Sequence, residues 1–150
     1  MAKKKLEGFR QINGSHGHVW WDGELLIEVE SFEAKITANR EDVMIAGSLD
    51  IDSKITGLKC EGSFKIKKVY SRGIKKIVES WRNGNDVRAQ IIGKLKDPDT
   101  IRGQAERVVI NNAWFNEMTL MQFELGQKLE REFPFGFTVS DVEFPDEINP

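Results

Sequence analysis

Between Leu58 and Lys67 the chain changes character at every step: Leu58, Cys60, Gly62, Phe64 and Ile66 alternate with Lys59, Glu61, Ser63, Lys65 and Lys67. Two is the period of a strand, whose successive side chains point to opposite faces of a sheet. The stretch therefore predicts a strand with one face in a core and the other in water. The same alternation returns through Val87, Ala89, Ile91, Gly93 and Leu95, and again through Phe133, Phe135, Phe137 and Val139. Pro134, on the opposite parity, calls for an edge position or a bulge.

The other segments fit around these strands. In HVWWDGELLIEV, Asp22-Gly23 stands between two apolar runs and predicts a tight hairpin. Leu25, Ile27 and Val29 share one parity, but Phe32, Ala34 and Ile36 share the other, so a bulge is expected near Glu30-Ser31. SRGIKKIVESWRNG places Ile74, Ile77, Val78 and Trp81 at helical spacing, with Ser71 as N-cap and Gly84 as stop. It is the one convincing helix. DPDTIRG reads as a turn-rich loop, and QAERVVINNAWFNEMTLMQFEL as further strand material, with Val108, Ile110 and Trp114 on one parity. The chain of 150 residues is the size of one domain. The expected architecture over 1–150 is mainly β, with one flanking helix and a core built from Leu58, Phe64, Ile66, Trp81, Ile91, Phe135 and Phe137. Residues 1–12 are expected to form a flexible N-terminal segment.

REDVMIAGSLDIDSKITG, residues 40–57, does not fit as a simple connection. Joining adjacent antiparallel strands takes about two to five polar residues, yet this stretch carries Val43, Met44, Ile45, Leu49, Ile51 and Ile55. Helical spacing fails through Gly47 and Gly57, and a disordered loop would be poorer in Ile, Val and Met. An extended hairpin arm fits. Lengthening a loop costs only about 0.6 kcal/mol per doubling, whereas burying each large aliphatic side chain is worth about 1.5–3 kcal/mol. Since the alternating strands already supply the domain's own core, the arm is expected to pack against another copy of the chain.

Catalytic chemistry finds no purchase. There is no G-x-S-x-G, Gly-rich phosphate loop or H-E-x-x-H motif. His16 and His18 lack a third ligand nearby, Cys60 lies on the apolar parity of its strand, and SLDIDSK lacks the glycine and distal glutamate of a calcium loop. No cofactor or metal is implied. With 22 basic and 24 acidic residues there is no strong field to recruit nucleic acid or an anionic membrane. The aromatics of EFPFGF stand beside Glu130, Glu132, Asp141 and Glu143, which oppose a stacking platform for single strands. No apolar run approaches the roughly 20 residues of a membrane span. MAKKKLEGFRQING has no apolar stretch after its basic cluster, so no secretory signal is expected, and a single cysteine suits a reducing cytoplasm.

In order, the chain has a short hairpin of the INGSHGHVWWDGE type, the strand SFEAKITANREDV, the arm, TGLKCEGSFKIKKV, a helix, GQAERVVI, and a closing EREFPFGFTVSDVEFPDEI. From about Ile12 onward this resembles the tail tube proteins of contractile-tailed bacteriophages and of the phage-tail-like R-type bacteriocins. The resemblance implies a β-sandwich or barrel-like domain, assembled as hexameric rings stacked into a rigid tube. Residues 40–57 would be its inter-subunit arm. It implies identical subunits, a sheath protein, and baseplate and tape-measure proteins as partners, with assembly in a bacterial cytoplasm and release as part of a particle. The polar parity of the strands flanking the arm, Glu33, Lys35, Lys59, Glu61, Ser63 and Lys65, would then face the lumen. Its lysines favour a tube that carries no DNA. The rival expectation is a small β-barrel ligand-binding module with residues 40–57 as a lid over its cavity.

Overall fold

The computed structural model describes residues 5–150, so the first four residues of the segment expected to be flexible lie outside it. From Gly8 to Arg10 the chain makes a single 3-10 turn.

Asp22 and Gly23 stand at φ 50° and 83°, the two positive values that a type I′ turn demands. They join β1 (Gly17–Trp21) to β2 (Glu24–Leu25) as expected. β2 then stops. A turn closes at Leu26, whose carbonyl accepts from Val29 N–H at 3.2 Å. Leu26 therefore enters the core while Leu25 and Ile27 remain exposed, which overturns the parity expected for those two. β3 (Val29–Met44) pairs with β4 (Ile51–Lys67), and the register slips between Val29 and Ser31, at the expected bulge.

α1 (Ile74–Arg82) buries Ile77 and leans Ile74 on the core. The core ends there, so Trp81, one turn further, is 37% exposed and is not a core residue. Ser71 does not cap the helix: Gly73 holds the N-cap position at φ 68°, and Ser71 contributes only its carbonyl, to Ile74 N–H at 3.3 Å. Gly84 ends the helix at φ 79°, with its N–H donating to Trp81 O at 3.0 Å.

β5 (Ala89–Leu95), β6 (Glu106–Phe115), β7 (Glu130–Phe137) and β8 (Val142–Asp146) complete one antiparallel sheet, in the order β2-β1-β5-β6-β7-β4-β3 with β8 on β6. The sheet folds over at β6. Its residues up to Ala113 pair with β5, Trp114 and Phe115 pair with β7, and Asn112 stands just before the change at φ 53°. That kink shifts the parity: Ile110, Ala113 and Phe115 are buried, whereas Trp114, expected beside Ile110, lies on the other face against Gly136.

The folded halves close as a sandwich, with Phe32 of β3 against Gly93 of β5. Their shared core holds Val19, Leu26, Phe64, Ile66, Ile91, Ile110, Phe133 and Phe135. The Trp21 ring lies 5.0–6.0 Å from those of Phe64, Phe115 and Phe133, in the tilted and edge geometries that aromatic quadrupoles favour. Pro134 sits opposite Ser63, and its carbonyl accepts from Asn116 N–H at 3.1 Å. Its nitrogen faces the same side, where β6 has just ended, so the ladder loses no donor.

Two expected strands stop short of the expected end. Val139 is exposed, because β7 ends at Phe137 and Val139–Asp141 form a 3-10 turn. Residues 117–124 run as a loop whose Gln122 carbonyl is taken by the Arg131 side chain at 2.9 Å rather than by a strand.

Candidate assembly interface

β7 covers β4 only from Cys60 to Lys67, so beyond Leu58 the β3–β4 hairpin continues as a bare two-stranded ribbon. Every residue from 39 to 56 is exposed. The tip turns through Gly47 at φ 77°, with Ser48 N–H donating to Ile45 O at 3.3 Å and Asp50 N–H to Ser48 Oγ at 3.0 Å. An isolated two-stranded hairpin is marginal in water, since neither face is covered. This one is long and carries six large apolar side chains in the open.

The faces of the ribbon follow from one irregularity. Asn39 pairs with Gly57 but Arg40 pairs with Ile55, which leaves Thr56 unpaired in a bulge, its hydroxyl donating to Asn39 O at 3.2 Å. Paired residues share a face. The bulge therefore lets odd-numbered Ile51 and Ile55 line up with even-numbered Leu58, on the face that carries Ile36 and Met44. Arg40 and Ser53, whose side chains bond at 3.2 Å, share that face. The result is a stripe of Ile36, Leu58, Ile55, Ile51 and Met44 that prolongs the core face out of the sandwich.

This arrangement regroups the arm residues. Met44, Ile51 and Ile55 come together, Ile45 and Leu49 occupy the tip, and Val43 points to the opposite face beside Asp52. Leu58, expected in the core, is 47% exposed because the sandwich has already ended there, and it belongs to the stripe with Ile36. Neither residue was readable as part of the arm, since only an unpaired residue at 56 places them in line.

The six polar-parity residues do share one face. Glu33 pairs with Ser63 and Lys35 with Glu61, while Lys59 and Lys65 pair with Thr37 and Ser31. β7 extends the face with Glu132 opposite Lys65 and Glu130 opposite Lys67. Lys65 Nζ lies 3.5 Å from Glu130. Four lysines (35, 59, 65 and 67) thus meet four glutamates (33, 61, 130 and 132), so the face is charge-balanced and not the lysine-rich one that β4 alone suggests.

A cleft of about 1090 Å³ opens between β3 and the β5–β6–β8 layer, lined among others by Phe32, Ile36, Leu95, Val108 and Phe144. No residue from 40 to 57 lines it, so the ribbon does not sit over it as a lid. The histidines do not converge: His16 lies 3.9 Å from Asp97, and the His18 ring lies tilted, 5.9 Å from that of Trp20. Cys60 is buried, which pushes its thiol pKa up, away from a reactive thiolate.

Residues 4–146 match a family described as phage tail tube protein. The protein XkdM of the phage-like element PBSX of Bacillus subtilis (strain 168) is 27% identical over 145 residues, covering 96% of this chain and 97% of its own. Among solved structures, a chain of the PVC sheath-tube complex, an extracellular contractile injection system in its extended state, superposes with TM-score 0.65. It is 11% identical and covers 91% of this chain and 93% of its own. A chain of the anti-feeding prophage tube-terminating cap superposes with TM-score 0.63 at 11% identity, over 98% of this chain and 95% of its own.

Proposed function

Because the chain belongs to the phage tail tube protein family, we propose that it builds the tube of a contractile particle, a phage tail or an R-type bacteriocin, as hexameric rings stacked end to end. The observation that carries this reading is the ribbon from 39 to 56, exposed throughout and apolar along one face, which a lone subunit cannot cover. β3 is also a long edge strand, and ring closure would pair or cover an edge that otherwise invites uncontrolled aggregation.

In this reading the face bearing Glu33, Lys35, Lys59, Glu61, Ser63 and Lys65 lines the lumen. Its balance of charge gives a polyanion neither strong attraction nor strong repulsion, so the lining suits passage of DNA as well as an empty bore. The role is mechanical and assigns no chemical step to any residue. A surrounding sheath protein, baseplate proteins and a tape-measure protein are the partners in this reading, and likeness of fold to a chain of a sheath-tube complex supports the first of them. Assembly takes place in the bacterial cytoplasm and the tube leaves as part of a released particle.

Electron microscopy of the concentrated, purified protein tests the reading. Rings or tubes are expected. Discrete monomeric particles at every concentration, with a ligand bound in the cleft beside Phe32, would favour the binding-module alternative.

A further inference from the structure

A second apolar surface stands apart from the arm. In the loop between β6 and β7, Leu120, Met121, Phe123 and Leu125 are all exposed, the last three by more than 70% and Leu120 by 66%. The loop is nevertheless held in place. Met118 packs on the core, Arg131, only 4% exposed, donates to Gln122 O at 2.9 Å, and Lys68 N–H donates to Leu129 O at 2.9 Å. Four large apolar side chains fixed outward on a pinned loop mark an interaction surface.

Its position says what covers it. The loop joins the sheet where Lys67 pairs with Glu130, at the far end of β4 from the arm tip. β4 is 17 residues long, so at about 3.3 Å per residue the two apolar surfaces lie roughly 50 Å apart at opposite ends of one hairpin. They cannot meet within a subunit. Two different surfaces at opposite ends make a head-to-tail contact, which leaves a free copy of each surface at the ends and repeats without limit.

Resting on the tube reading above, we infer that the loop from Leu120 to Leu125 receives the arm tip, Ile45 and Leu49, of a subunit in the next ring. The cleft of about 390 Å³ beside Phe123 is walled mainly by polar and charged side chains, Lys65, Glu130 and Glu132 among them, so the contact falls to the outward apolar side chains of the loop and not to the cleft. The polymer grows along the strand direction, with one such joint per subunit per ring.

Disulfide trapping in assembled protein tests this. Ser48→Cys is combined in turn with Thr119→Cys, Gln122→Cys and Glu124→Cys, which spare the apolar residues; native Cys60 is buried and does not compete. A disulfide needs its Cα atoms within about 7 Å, so no bond between the two sites can form inside one chain. Oxidised tubes of at least one pair are expected to give a ladder of covalent trimers and longer chains on a non-reducing gel, while each single-cysteine variant stays monomeric. Tubes that form normally without a ladder from any of the three pairs overturn the inference and leave the tube reading standing. Dimers from Ser48→Cys alone overturn it in favour of a tip-to-tip contact. Failure to see tubes with any variant or with the unmodified protein sinks the tube reading, and the inference with it.

Discussion

The Arg72 guanidinium grips the Glu28 carboxylate through two hydrogen bonds, Nε to Oε1 at 2.5 Å and Nη2 to Oε2 at 2.7 Å. The two side chains are only 10% and 3% exposed, and Glu24 engages Arg72 Nη1 as well. The pair ties the turn that ends β2 to the entry of α1, where Arg72 itself stands at φ 30°.

Removing one member of such a pair strands a buried charge. Arg72→Leu is expected to cost about 3–5 kcal/mol at neutral pH. The Arg72 hydrogen bonds hold Glu28 below the ordinary glutamate range, against the burial that would raise it. A carboxylate with a depressed folded pKa contributes its full stability above its unfolded pKa and loses it as pH falls through the folded value. Melting temperatures followed into acid should therefore drop, and Glu28→Gln should start lower at neutral pH and fall less. Equal acid sensitivity in both proteins would deny the pair this role.

Gly62 is required by close packing across three strands. A Cβ there would collide with the Glu33 carbonyl and lie 2.6 Å from Phe135 Cζ. Gly62→Ala is expected to destabilise the fold by about 1–3 kcal/mol, the usual range for overpacking. Gly57, whose nearest neighbour would be Asn39 Nδ2 at 3.8 Å, should accept alanine with little change. Urea unfolding of the two variants makes the comparison.

The bulge at Thr56 decides which way the ribbon's apolar side chains point. Inserting one threonine between Asn39 and Arg40 gives Thr56 a partner and turns Met44, Ile51 and Ile55 to the polar face. The monomer should fold with an unchanged circular dichroism spectrum, yet form no tubes. Deleting Thr56 keeps Arg40 opposite Ile55, and with it the stripe, so tubes should persist. Tubes from the insertion variant would show that the face of the ribbon is immaterial.

Lys65→Glu tests the lining. Lys65 and Glu130 are both about half-exposed, and a pair of that kind is worth about 0–1 kcal/mol, so tubes should form as before. A reconstruction of those tubes should place residue 65 in the bore; an outer-wall position would refute the assignment.

Local signals were the legible ones. Asp22-Gly23, the slip near Glu30-Ser31, Gly84 and the β4 alternation each act within a few residues, and the structure has all of them. What the sequence hid depends on distant partners. The Arg72–Glu28 clamp spans 44 positions. Trp81 and Leu58 carry the right spacing for a core, but the sandwich ends before it reaches them. The loop from 117 to 124 is as apolar as a strand and lacks only a partner, a property of the fold and not of the segment. The apolar stripe is partly visible in the composition of residues 40–57, but its geometry needs the unpaired Thr56.

Exchanging residues 43–55 for a short Asn-Gly turn tests the central claim most directly. The core of Phe64, Ile66, Ile91, Phe133 and Phe135 lies wholly outside the exchanged segment. Circular dichroism and thermal melting should report a folded monomer, and electron micrographs should show no tubes under conditions where the unmodified protein forms them. Tubes of normal length from the shortened chain would contradict the account, and a chain that cannot fold at all would show that the arm belongs to the subunit's own core.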